Sequence, residues 1–175
     1  RAERGPPRGT PLACAYSCMV TRSPIRRKAW EERFRLRSVG APEALVCVRR
    51  GSRVFVGSGC AEPTLLVSAL AERPDVADVE VLHLMTIGSA PYAEAAQKGR
   101  FRHNAFFIGP NVREAIASGA ADYTPIFLSE IPAFFRSRRI RLDVALITVS
   151  PPDAHGFCSL GVSVDVVKSA VESAS

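Results

Sequence analysis

Apolar residues along this chain fall into short runs separated by stretches in which they recur every three or four positions. Arg53-Val-Phe-Val-Gly57 reads as a buried strand running into a glycine turn, and Val79 to Met85 as a second strand. Asn104 to Ile108, closed by Gly109-Pro110, predicts a third, Tyr123 to Leu128 a short fourth, and Asp143 to Val149 the clearest of all. Helical spacing fills the gaps. One helix starts near Pro63, where a residue without an N–H is tolerated, and runs to Glu72. A second spans Val112 to Ser118 with Gly119 as its stop. A third is capped by Ser129, carries Pro132 in its first turn and reaches Arg138; a fourth covers Val162 to Ser173. Ahead of these, Arg26 to Val39 sets Trp30, Phe34 and Leu36 among charges, as in an amphipathic helix laid against the domain. Strands alternating with helices predict an α/β fold, an open, mainly parallel sheet with helices on both faces. No internal repeat is visible.

Composition changes this picture little. A chain of 175 residues, 47% hydrophobic and 23% charged, is that of an ordinary globular domain. No run approaches the roughly 20 apolar residues of a membrane span. The net charge of +6 is concentrated near the start, where Arg1, Arg4, Arg8, Arg22, Arg26, Arg27, Lys28, Arg33, Arg35 and Arg37 oppose Glu3, Glu31 and Glu32. That distribution reads as a solvated basic arm or helix before a nucleic-acid surface, and since a basic surface would also suit the phosphates of coenzyme A, charge alone does not choose. Residues 1–18, rich in Arg, Pro and Gly without periodicity, read as a disordered or non-native extension, with Met19 as a candidate start and the domain over residues 19–175. The five cysteines, Cys14, Cys18, Cys47, Cys60 and Cys158, form no metal-type pair of pairs; reduced thiols and a cytoplasmic location are expected.

Three segments after strands carry candidate chemistry. Gly57-Ser-Gly-Cys-Ala-Glu-Pro63 lies between a strand's end and a helix's start, where glycine admits a ligand and helix-start N–H groups favour anions. It lacks the third glycine of a dinucleotide fingerprint, Glu62 standing in its place, and the Lys-Ser/Thr pair of a phosphate loop. Thr86-Ile-Gly-Ser-Ala-Pro91 would lie beside it if the two strands are neighbours. Ser150 to Gly161 brings Asp153, His155 and Ser159 to the same edge, too crowded in sequence for a hydrolase triad. Arg102, Asn111 and Arg113 are candidates to grip an anion, while Phe106 and Phe107 read as core. His83 reads as a satisfied core histidine, Cys60 as a small buried packing residue before a nucleophile, and Glu62 as making local hydrogen bonds.

From about Gly51 to the C-terminus the chain resembles the N-terminal domain of the acetyl-CoA hydrolase/transferase family, especially its 4-hydroxybutyrate CoA-transferase-like members. The resemblance rests on GSGCAEP at 57–63, FRHNAFFIGPNVREAI at 101–116, ADYTPIFLSEIP at 121–132 and SPPDAHGFCSLGVSVD at 150–165. It implies a CoA-transferase (NagB/RpiA-like) type of fold in a two-domain enzyme that moves coenzyme A between an acyl-CoA and a carboxylic acid such as acetate. It also implies an acyl–enzyme anhydride followed by a glutamyl-CoA thioester on a glutamate of a C-terminal half. That half is expected to be absent here, so no catalytic residue is assigned and the isolated chain is expected to be inactive. Gly57, Ser58, Gly59 and Thr86 are the expected substrate-binding residues. No bound cofactor or metal is expected, coenzyme A entering as the substrate's thioester, and neither nucleic acid nor membrane is an expected partner. A homo-oligomer formed through or with the missing half is expected. The alternative is a non-catalytic binding subunit that completes a site with a separate catalytic chain, and a nucleotide-binding module is disfavoured by the missing glycine.

Overall fold

The computed structural model describes residues 29–94 and 99–175. Expectations for residues 1–28, including the extension, the Met19 start, Cys14 and Cys18, lie outside the described residues. In chain order the elements are helix α1 (Ala29–Arg37), α2 (Ala41–Ala44) and a 3-10 turn (Leu45–Cys47), then strand β1 (Arg53–Val56), α3 (Thr64–Glu72) and β2 (Val79–His83). A second 3-10 turn (Pro91–Ala93) leads to β3 (Phe101–Ala105), α4 (Arg113–Ala117), β4 (Asp122–Tyr123), α5 (Ile131–Arg136), β5 (Val144–Leu146) and α6 (Val167–Ser173).

The five strands form one sheet in the order β4-β3-β2-β1-β5, and every pairing is parallel. Register sets Val54 opposite Val81 and Val144, and Val81 opposite His103. Because side chains alternate across a strand, Val54, Val56, Val79 and Val81 face one side, where Leu66, Val67 and Leu70 of α3 bury them together with Leu45 and Val48. Phe55 and Leu82 face the other, against Ile131 and Phe135 of α5 and Val167 and Ala170 of α6. Helices therefore cover both faces, as the alternation of elements predicts. Every strand runs the same way, so all the strand ends that carry the candidate loops lie along one edge.

Several boundaries depart from the sequence expectation. The third strand begins at Phe101, not Asn104, and Phe107 lies outside it, 57% exposed, whereas Phe106 is buried. The fourth is only Asp122–Tyr123, and Phe127 and Leu128 are exposed. The third predicted helix begins at Ile131 and ends at Arg136; Pro132 stands in its first turn, but the flanking residue is Glu130, not Ser129. The last helix begins at Val167, with Val166 as its N-cap and no side-chain cap, and the Asp165 carboxylate accepts the N–H groups of Val166 (2.5 Å) and Val167 (3.3 Å) just ahead of it. The early helix docks through Trp30, whose ring lies against Gly156, while Leu36 and the arginines Arg33, Arg35 and Arg37 are exposed. Trp30 and Phe34 are half-buried while Leu36 faces out, so the helix presents no continuous apolar face.

Candidate functional site

β1 and β2 are neighbours, so the loops that leave them meet. Beyond β1 the Gly57 N–H donates to the Leu146 carbonyl of β5 at 2.8 Å, and the Gly59 N–H donates to the Met85 carbonyl beyond β2, also at 2.8 Å. A parallel bridge pairs Gly59 with Thr86, continuing the β1–β2 ladder past both strands. Gly59 has φ +59°, the left-handed conformation that glycine adopts without a Cβ penalty. A Cβ built there meets nothing within 4 Å, so its open side faces free space. The four expected substrate-binding residues, Gly57, Ser58, Gly59 and Thr86, are thus brought together.

Their accessibility refines the expectation. Ser58 is 4% exposed and Thr86 2%. The Ser58 hydroxyl is buried without a partner, while its carbonyl accepts the Ser163 hydroxyl at 2.6 Å. Gly57, Gly59, Glu62 and Thr64 spend their N–H groups on the carbonyls of Leu146, Met85, Gly59 and Glu62, and Pro63 has none. Among the described residues the N–H groups of Ser58, Cys60 and Ala61 have no internal acceptor. In this turn the unspent N–H groups thus belong to the glycines' neighbours and not to the glycines themselves.

The second loop is braced from below. Asn111 donates its amide Nδ2 to Thr86 Oγ1 at 3.0 Å and to the Gly88 carbonyl at 2.8 Å. Thr86 Oγ1 lies 3.3 Å from His83 Nδ1, which also contacts the Tyr92 hydroxyl at 2.8 Å. Burial pushes His83 down to about 2, with repulsion from His103 adding to it. Burial likewise lowers His103 to about 4, against the pull of its bond with the Val81 carbonyl. Burial also raises the Tyr92 phenol above its ordinary value. Both imidazoles are thus neutral, and each leaves its Nε2 buried without a partner. His83 is a core histidine satisfied on one nitrogen only.

Other candidates disperse. Arg102 pairs with Asp122, and Arg113 is exposed, so they do not converge with Asn111 on an anion. Asp153 Oδ1 accepts the N–H groups of His155 (2.8 Å) and Phe157 (3.0 Å), bonds that hold its carboxyl below the usual carboxylate range. The Ser159 N–H bonds to Ser150 Oγ at 2.9 Å. These bonds close an exposed loop on itself, and no hydrogen bond joins the side chains of Asp153, His155 and Ser159. Cys60 is exposed, contrary to the packing role expected of it, because the left-handed turn at Gly59 carries the next residue outward. Glu62 makes a bond that is not local: its Oε2 accepts the Gly88 N–H at 2.8 Å. Sequence reasoning passed over this contact, Tyr92 and the bracing role of Asn111. The available signal was a glycine two places after Thr86, where a side chain would collide with a neighbouring loop.

Among the described residues no helix is long and apolar enough to cross a membrane. The family model for the acetyl-CoA hydrolase/transferase N-terminal domain matches residues 21–175. A succinyl-CoA:acetate/propanoyl-CoA:succinate CoA transferase of Fasciola hepatica is 48% identical over 130 residues, 73% of this chain and 27% of that protein. The 4-hydroxybutyrate coenzyme A transferase of Clostridium kluyveri is 42% identical over 146 residues, 83% of this chain and 34% of that protein. The crystal structure of a 4-hydroxybutyrate CoA-transferase from Porphyromonas gingivalis superposes with a TM-score of 0.67 at 29% identity, covering 83% of this chain and 33% of that one. The chain thus spans about a third or less of the length of these relatives. With the parallel sheet, the paired loops at its edge and a match over almost all of its length, the chain belongs to the acetyl-CoA hydrolase/transferase family of enzymes, as the N-terminal domain.

Proposed function

We propose that this domain supplies the acid-binding side of a site that transfers coenzyme A between an acyl-CoA and a small carboxylic acid. The observation that supports the reading is the Gly59–Thr86 bridge, which joins two strand-end loops into one surface at the sheet edge where α/β proteins hold ligands. Gly57, Ser58, Gly59 and Thr86 form its floor. The N–H groups of Ser58, Cys60 and Ala61 are the donors for a carboxylate or a developing oxyanion.

In this reading the nucleophilic glutamate belongs to the part of the relatives that this chain does not match. Its carboxylate attacks the thioester carbonyl, forming a mixed anhydride and releasing CoA thiolate. The thiolate then attacks the glutamyl carbonyl of the anhydride, giving a glutamyl-CoA thioester and freeing the first acid. The incoming carboxylate attacks that thioester, and the released thiolate takes the new acyl group, restoring the glutamate. Each attack places negative charge on an oxygen, and fixed backbone donors stabilise such charge without reorganising. The test is isotope exchange in the full-length protein: acetyl-CoA and labelled propionate should yield labelled propionyl-CoA and free acetate. Release of free CoA with no labelled thioester would assign hydrolysis instead.

A further inference from the structure

Resting on that reading of the site, we propose that Glu62 is a positioning residue that clamps the Thr86–Gly88 loop to the Gly57–Gly59 loop without touching substrate. Glu62 is 9% exposed, and a buried carboxylate needs a compensating donor. It takes the Gly88 N–H at 2.8 Å, across 26 residues of sequence. The fit is so close that a Cβ on Gly88 would stand 2.6 Å from Glu62 Oε2 and 2.9 Å from Oε1. Glycine at 88 is therefore the space in which the carboxylate sits. On the far side of the same residue, Asn111 holds the Gly88 carbonyl at 2.8 Å and Thr86 Oγ1 at 3.0 Å. Gly88 is gripped on both peptide groups, and Thr86 cannot move independently of the first loop.

Charge decides between clamp and ligand. A second carboxylate beside the substrate's own would repel it, so a glutamate that touched the acid would weaken binding. Facing Gly88, the charge is engaged by an amide that also fixes the loop. The clamp needs an acceptor of the right length and does not need a negative charge.

The experiment is a double-mutant cycle in the full-length enzyme, with KM for the acid, KM for the acyl-CoA, kcat and the thermal midpoint measured on every variant. Glu62→Ala frees the loop and should raise the acid's KM about tenfold or more, the scale expected for a misplaced binding element. Glu62→Gln keeps the acceptor and removes the like charge, so the acid's KM should return to wild type or below. Gly88→Ala should mimic Glu62→Ala alone, yet cost little further in the Glu62→Ala background, because the collision has gone. Equal loss in Glu62→Gln and Glu62→Ala, or additive losses for Gly88→Ala and Glu62→Ala, would overturn the proposal. So would losses confined to the thermal midpoint. The reading of the site is tested separately by Gly59→Val: if that variant loses turnover while the Glu62 and Gly88 variants retain it, the clamp fails and the site stands.

Discussion

His83 and His103 lie buried side by side, their ring centroids 4.2 Å apart. Unfolded, each imidazole binds a proton near 6.5; folded, His103 resists protonation to about 4 and His83 to about 2. Below pH 6.5 the unfolded chain therefore binds protons that the native chain refuses, and stability falls as pH falls. At pH 5 the penalty is about 2 kcal/mol per histidine. The thermal midpoint should drop between pH 7 and pH 5, and His103→Leu should flatten that drop; a wild-type midpoint unchanged over this range would contradict the account. His83 was legible as a core residue because it sits in the apolar run Val79 to Met85. Its partner Tyr92 was not, since it lies beyond a loop whose path no periodicity records. The same limit applies to Asn111, which meets Thr86 only after an intervening strand. The chemical type of Cys60 and Phe107 suggests burial, yet both are exposed.

At the scale of elements, the pattern was read well where both faces of an element are buried. β1 and β2, inside the sheet, carry mostly apolar runs because a parallel sheet covered on both sides demands them, whereas the strand expected over Asp143 to Val149 is only Val144–Leu146, an edge strand with Leu146 alone buried. The spacing of Leu66, Val67, Leu70 and Ala71 similarly marks the buried face of α3. Boundaries failed where apolar residues follow a strand without being buried. Phe127 and Leu128 lengthened the expected fourth strand, and Val162 and Val164 lengthened the expected last helix, yet all four are exposed. In the core beneath α5 and α6, one ring holds much of the packing together. Phe135 packs edge-on to Phe55 with centroids 5.6 Å apart, and lies 5.9 Å from Phe106, so α5 is pinned to both β1 and the end of β3. Phe135→Ala should cost about 3–5 kcal/mol in denaturant unfolding, as large-to-small changes at a buried ring do. A cost below about 1 kcal/mol would mean that α5 is not part of the cooperative core.

Across the whole molecule, several of the exposed apolar side chains lie at the carboxyl ends of strands. Met85 and Ile87 follow β2, Phe107 follows β3 and Tyr123 ends β4, so these exposed side chains lie toward the edge that carries the candidate site. Large exposed apolar patches favour association. The chain alone should sediment at micromolar concentration as dimers or larger species, and a clean monomer would contradict this. The fold class and the meeting of two loops were legible in the order of strands and glycine turns; the division of labour within the first loop was not, because it depends on which N–H groups the frame consumes. Turnover of Gly59→Val and Gly59→Asn in the full-length enzyme is the most direct probe of that division. Asparagine tolerates the left-handed backbone, whereas valine strains it, and either adds atoms where the glycine faces open space. Both variants should lose about a hundredfold or more in turnover, with Gly59→Asn keeping its thermal midpoint. Wild-type turnover in Gly59→Asn, or a loss in Gly59→Val that merely tracks unfolding, would contradict that division.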